Sequence, residues 1–219
     1  MSLRDWGAES RGLFARAKDP AALTTAVVTF HKRVDEVVEA TIGGHAVKID
    51  CARGCSHCCS LPVQVAPYEA FTLAEWLRRN FSPARLEQVL LGLRENAART
   101  KALGTEGRKR ANLACALLGE DGACSAYAAR PAQCRRFHST RVATCKASFA
   151  NPEDDTIEAP LDPAVAHNAA VLIAQARKAA EAAELDAHPV DMNLALLAAL
   201  ENPKAWRRWR DGKKAFVGV

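Results

Sequence analysis

The stretch Cys51-Ala52-Arg53-Gly54-Cys55-Ser56-His57-Cys58-Cys59 decides how this chain can fold. Its thiols stand two or three residues apart, a spacing at which one turn of backbone aims several sulfurs at one centre. Nothing in it has the period of a helix or a strand. Working outward, Cys115, Cys124, Cys134 and Cys145 form a second, wider set, and the sequence before 51 and after 145 has no cysteine. Such confinement says that the cysteines act together. Eight thiols suffice for two four-ligand centres, or for one centre with thiols to spare.

Compartment decides what clustered thiols do. The N-terminal Met1-Ser2-Leu3-Arg4-Asp5-Trp6 has no apolar core of a secretory signal, and no run approaches the length of a membrane span. A cytoplasmic, reducing setting is expected, where thiols bind metals or do redox chemistry more often than they pair as structural disulfides. Lys plus Arg exceed Asp plus Glu by 30 to 25, a formal charge of +5. That mild excess permits a nucleic-acid partner without arguing for one. A hydrophobic share of 49% with 25% charged residues excludes wholesale disorder.

The rest of the sequence reads as helix. About a fifth of it is alanine, the best helix former, and aromatics are only 6%. Proline behind an Asp, Ser or Asn cap recurs as a helix start. Asp19-Pro20 opens a helix carrying Leu23, Val27, Phe30, Val34, Val37 and Val38 to about Ile42, stopped by Gly43-Gly44. Ser82-Pro83 opens another with Leu86, Val89, Leu90 and Leu93 on one face. Asp162-Pro163 opens a long one to about Leu185, and Asn202-Pro203 a short one through Trp206 and Trp209. Pro67 to Asn80 and Val190 to Leu200 have helical spacing as well. The best strand candidate is Ala46-Val47-Lys48-Ile49. These signals predict an all-α protein, an irregular helical domain whose cysteine-bearing loops are organised around a metal centre. Long loops without structure of their own need something to hold them. The acidic, proline-flanked Asn151 to Pro160 reads as a surface linker. It divides the chain into a cysteine-cluster domain, 1–150, and a C-terminal helical extension, 151–219, expected to pack on it.

Adjacent Cys58 and Cys59 cannot easily place both sulfurs on one tetrahedral ion. Either they serve two neighbouring centres, or one is a ligand and the other a buried or reactive thiol; a small apolar residue opening the next segment is the bland alternative for Cys59. Cys51-x3-Cys55-x2-Cys58 is also the spacing of radical S-adenosylmethionine enzymes. Those need alternating strands and helices, which are missing here.

The two cysteine sets in order resemble the YkgJ-type cysteine cluster family, a zinc- or iron-chelating domain with a CxxCxxCC pattern. Cys51, Gly54, Cys55, Cys58 and Cys59 match its first motif. Cys115-Ala-Leu-Leu, then Cys124-Ser-Ala-Tyr127-Ala-Ala-Arg130-Pro131-Ala-Gln-Cys134-Arg135-Arg-Phe137, match its second. Cys145, after His138-Ser139, resembles the eight-cysteine version. The likeness covers about residues 50 to 146. One departure is the three residues, not two, between Cys51 and Cys55. The resemblance implies chelation of iron or zinc through Cys51, Cys55, Cys58, Cys59, Cys115, Cys124, Cys134 and Cys145. A related motif in flagellin lysine methylases is linked to an iron–sulfur cluster, which brings a protein substrate into view.

Clustered thiolates call for cations nearby. Arg130, Arg135, Arg136 and His138 flank Cys134, and Arg53 lies in the first motif. Arg130 and Arg135 are the candidates for contact with the cofactor, either as counter-charge or as a fork for an anionic substrate. His57 and His138 can replace a thiol as ligand, although eight thiols make neither necessary. Trp206-Arg207-Arg208-Trp209-Arg210 suits either nucleic-acid stacking or a short amphipathic helix docked on the domain, and its three-residue tryptophan spacing favours docking. Among cofactors, the vicinal cysteines and tight first motif favour an iron–sulfur cluster of the 4Fe–4S type serving redox, sensing or protein-modification chemistry. The alternative is a structural zinc module working through protein or nucleic-acid binding.

Overall fold

A computed structural model describes residues 3–44, 48–52 and 54–218. Nine α-helices appear among them: α1 (Leu3–Phe14), α2 (Pro20–Gly44), α3 (Pro67–Asn80), α4 (Pro83–Arg110), α5 (Ala132–Arg135), α6 (Val142–Ala150), α7 (Pro163–Ala182), α8 (Met192–Glu201) and α9 (Pro203–Arg210). The protein is all-α, as its composition predicts. Strand is limited, among the described residues, to the antiparallel pair β1 (Gln64–Val65) and β2 (Val190–Asp191). Of the anticipated strand, Ala46 and Val47 lie outside the described residues, and Lys48 and Ile49 are irregular.

The capping signals act as read. Asp19 accepts from the amides of Ala21 and Ala22 at 3.0 and 2.9 Å, Ser82 from Arg85, Asp162 from Val165 and Asn202 from Lys204. Each satisfies amides that a helix start leaves orphaned. The helix after Asp162 ends at Ala182, short of Leu185, because Glu184 turns left-handed (φ +58°) and the Leu185 amide closes back on the Ala180 carbonyl. Three helices were not foreseen, α1, α5 and α6. α6 carries Cys145 and α5 carries Cys134, so these two thiols stand on helices rather than loops.

The apolar faces meet in one continuous core. α7 packs on α1 and α2, α8 packs on α3 and α4, and a contact between α2 and α3 joins the two groups. Trp6, fully buried, stacks on Phe30 and donates to the Leu172 carbonyl of α7. Trp209 is also fully buried and, with Trp206, packs against Phe71, which in turn meets Phe216; the Trp209 indole N–H donates to the Asp186 carbonyl at 2.8 Å. The basic aromatic helix is therefore docked, its tryptophans taken by the core. The 151–160 segment runs back over α4: Arg110 pairs with Glu153 at 3.4 Å and with Asp155 at 2.7 Å. Beyond it, Ser139 bridges to Leu161, and the Thr140 amide donates to the Pro160 carbonyl. The expected linker is held against the cysteine region at both ends.

Candidate metal centre

Cys58 and Cys59 sit in a 3-10 turn, His57–Ser60, which leads through Leu61 to Val63 into β1. Several contacts bring the second cysteine set onto the first motif. The Cys115 amide donates to the Cys59 carbonyl at 2.9 Å. Gly122, left-handed at φ +73°, lies so close to the Gly54 carbonyl that a Cβ there would stand 2.8 Å from it. On the other side the Asp50 amide donates to the Ser139 carbonyl and the Ser139 amide donates to Cys51 Sγ at 3.1 Å. Asp50 also accepts from the Val142 amide at the start of α6.

Residues 115–126 form a tight reversal. Ser125 donates to the Leu117 carbonyl, and Leu118 bridges Cys124. Cys115 Sγ accepts from the Leu117 amide at 3.5 Å, and Cys124 accepts likewise from the Ala126 amide. Both bonds reach two residues ahead, so both turns aim a backbone N–H at sulfur. Such bonds stabilise thiolate and fix the direction of its remaining lone pairs.

The result is a cavity of about 480 Å³ lined by Cys51, Cys55, Cys58, Cys59, Cys115, Cys124 and Cys134. All eight thiols are free. Cys145 stands in an adjoining pocket of about 170 Å³ with His57, and Cys58 and Phe137 belong to both walls. Among the described residues no three Cys, His, Asp or Glu side chains already converge on a point in the manner of a single bound ion. The sulfurs border a shared space instead.

Burial is the largest influence on the titration of Cys51, Cys115, Cys124 and Cys134. It pushes Cys115 up to about 11, and raises Cys134 further, with the charges of Cys115, Cys58 and Cys124 adding to it. Cys58 is raised first by its hydrogen bond to the Cys59 thiol and then by burial. Cys51 and Cys124 are raised by burial, against the opposing pull of the Ser139 and Ala126 amides. Thiols that resist ionisation, in a cavity prepared with N–H donors for sulfur, fit a cationic centre that would stabilise the thiolates.

The cations beside them are only partly those expected. Arg130 lines the cavity, lies over the Tyr127 ring at 3.7 Å, pairs with Asp35 at 3.6 Å and lowers the Cys124 thiol. Arg136 lines it too, whereas Arg53 is outside the described residues. Arg135 stands away from the wall. Its guanidinium is spent on Asp35 and on the carbonyls of Arg130 and Ala128, at 2.8 and 2.6 Å, so it pins the turn before α5 to α2. Sequence reading missed Arg108. It is 4% exposed, holds the Ser60 carbonyl at 3.1 Å and faces Asp191 at 3.7 Å, and Cys115 is among the charges acting on it. Its distance from the motifs hid it, and burial at the end of α4 is a tertiary fact.

Glu69, also buried, was missed as well. It accepts from the Ala132 amide at 2.8 Å and pairs with His31 at 2.9 Å, which anchors the helix that carries Cys134. His138 lines the cavity; burial depresses its basicity, against the opposing pull of a hydrogen bond with the Arg136 backbone.

With this geometry in place, comparison of the chain with protein families matches residues 50–157 to CxxCxxCC, described as "Putative zinc- or iron-chelating domain". The likeness to that domain is confined to residues 50–157. Searches of curated proteins and of solved structures returned no match. The CxxCxxCC segment contains all eight cysteines and both prepared turns, while α1, α2, α7, α8 and α9, which supply much of the core around it, lie outside it. No helix among the described residues is long and apolar enough to cross a membrane.

Proposed function

We propose that the cysteine cavity holds an iron–sulfur cluster, of the 4Fe–4S type, and that the protein uses it in redox, sensing or protein-modification chemistry in the cytoplasm. The carrying observation is the seven thiols from two separate motifs around one space of about 480 Å³. Zinc–sulfur bonds of about 2.3 Å would draw four sulfurs to within about 4 Å of one another around a single ion. A polynuclear cluster spreads its ligands more widely and suits a cavity with thiols on its wall. The residues fit such a group: free thiols, backbone N–H groups aimed at three of the sulfurs, and Arg108 and Arg130 to offset negative charge. The cluster would supply electron transfer or Lewis acidity there. The chain's own groups set its charge, its hydrogen bonding and its shielding from water. The cysteine domain is read as built into residues 1–150, with 151–219 closing the core around it.

Metal and acid-labile sulfide analysis, with an absorption spectrum, on protein purified without oxygen tests this reading. Iron and sulfide in near-equal amounts and broad visible absorption are expected. A colourless protein holding zinc alone would overturn it in favour of a structural zinc module.

A further inference from the structure

All eight cysteines are free thiols, and a 4Fe–4S cluster takes only four of them as ligands. The structure sorts the thiols into two neighbourhoods. Cys115, Cys124 and Cys134 lie around the large cavity, presented by the 115–126 reversal and by α5. Cys51, Cys55 and Cys145 gather where the first motif meets α6. We propose that the protein holds two metal centres, with Cys51, Cys55 and Cys145 serving a second centre beside the one on Cys115, Cys124 and Cys134. The adjacent Cys58 and Cys59 stand between them, and each gives one centre its fourth thiol. This inference rests on the metal-centre reading of the cavity and extends it to the adjoining pocket.

The second neighbourhood is built from contacts between distant parts of the chain. The Ser139 amide donates to Cys51 Sγ at 3.1 Å, and the Val142 amide donates to Asp50 at 3.3 Å. These bonds set the first turn of α6 against the Asp50-Cys51 segment, and Cys145 stands at the end of that turn. Cys145 and Phe149, four residues apart on α6, share a face of the helix. That face meets the His57–Ser60 turn: Phe149 packs edge-on to His57 at 5.6 Å, and Cys145 and Cys58 line the same small pocket. Within the first motif the Cys55 amide donates to the Ala52 carbonyl at 3.0 Å, a tight turn that keeps Cys55 beside Cys51. The influence of the thiols on one another follows the same division. After burial, and against the Ser139 bond, the groups that raise Cys51 are Cys55, Cys58 and Cys145. After burial, those that most raise Cys134 are Cys115, Cys58 and Cys124. Cys58 is the member common to both groups, and it belongs to the walls of both pockets. Cys59, bonded to the Cys58 thiol, lines the large cavity, and its carbonyl holds the Cys115 amide. Side chains of adjacent residues do not face one another, so a vicinal pair suits two centres better than one.

The test uses full-length protein purified without oxygen, with iron and sulfide counted per chain and the intact species weighed by native mass spectrometry. Two clusters of the 4Fe–4S type give about eight iron per chain, and one gives about four. The wild-type protein is expected to show the higher count, and C51S/C145S to lose about half of it and keep a single cluster. By electron paramagnetic resonance, reduced wild-type protein is expected to show the broadening of two neighbouring paramagnetic centres, replaced in C51S/C145S by the narrower signal of one. C124S/C134S is expected to make the reciprocal loss. Wild-type protein with about four iron, or a folded C51S/C145S that loses all of its iron or none, overturns the second centre and leaves the cluster reading intact. If a variant fails to fold, the wild-type count and spectrum decide. Zinc alone overturns the cluster reading by itself. Two zinc ions per chain, falling to one in C51S/C145S, then support two centres, and a single ion in the wild type overturns them. Protein that takes up neither metal overturns both.

Discussion

Arg108 shows how a single side chain can serve fold and site together. Its guanidinium ties the end of the first cysteine turn, through the Ser60 and Leu61 carbonyls, to Asp191 of β2 and stands beside Cys115. Both partners of the ion pair are buried, at 5% and 8% side-chain exposure. Removing one charge leaves the other unpaired in a poor solvent for it. Arg108→Gln is therefore expected to cost about 3 kcal/mol in urea unfolding, the range for breaking a buried pair from one side. Arg136→Gln, on the wall of the same cavity but only half-buried, is expected to change stability by no more than about 0.5 kcal/mol. Equal losses in the two variants would contradict this division. The sequence showed that cations should accompany the thiols, and Arg130 was legible because it lies between two cysteines. Arg108 was not, since nothing local marks the end of a long helix as buried. Arg135 was misplaced for the same reason: its partner Asp35 lies 100 residues away on α2.

At the scale of elements, the approach of the first cysteine loop to the 115–126 reversal depends on a missing side chain. Gly122 adopts φ +73°, and a Cβ on it would meet the Gly54 carbonyl at 2.8 Å. Either fact alone disfavours substitution, and together they force the two segments apart. Gly122→Ala is expected to lower bound metal by at least half and to destabilise the protein by about 1–3 kcal/mol. Metal content by mass spectrometry and the unfolding midpoint read the two effects separately. Gly119 is close-packed by the side chain of Asp121, within the same reversal. The helices themselves were legible from caps and periodicity, since Asp19, Ser82, Asp162 and Asn202 act within three residues of their own positions. β1 and β2 were not, because each is two residues long and exists only by pairing with the other across more than a hundred positions.

For the whole molecule, the thiol cavity couples stability to both pH and metal. Folding raises Cys115 to about 11 and also raises Cys51, Cys124 and Cys134, chiefly through burial, and Cys58, first through its hydrogen bond to the Cys59 thiol and then through burial. An unfolded thiol ionises near about 8.5. The metal-free fold thus favours protonated sulfur, its stabilisation intact below about pH 8.5 and lost as pH rises from there towards about 11. Metal binding has the opposite sign, because ligation requires thiolate and releases protons. Under strong reductant, the urea midpoint of metal-free protein is expected to fall between pH 7 and pH 10. Over the lower part of that range, apparent metal affinity is expected to rise. Metal removal should also act unevenly. The core of α1, α2, α3, α7 and α8 is continuous and apolar, whereas the cysteine segments lean on turns, single hydrogen bonds and the centre itself. Hydrogen exchange on chelator-treated protein is expected to show early loss of protection over residues 48–65 and 112–141, with helical circular dichroism largely kept. Loss of helix in step with metal would show that the centre holds up the whole core.

The sequence by itself determined the helical class, the helix starts at capped prolines and the presence of a thiol-based metal chemistry. All three rest on interactions spanning a few residues: a side chain reaching the next turn, an apolar face repeating along a helix, sulfurs spaced for one centre. Tertiary structure alone decided which cation stands by Cys115, that Cys145 faces a neighbouring pocket, and that His138 lies on the cavity wall. Those facts depend on burial and on pairs far apart in the chain, such as Ser139 with Cys51 and Arg108 with Asp191. Neither burial nor long-range pairing leaves a local mark, because each is set by how the helices close around the cavity.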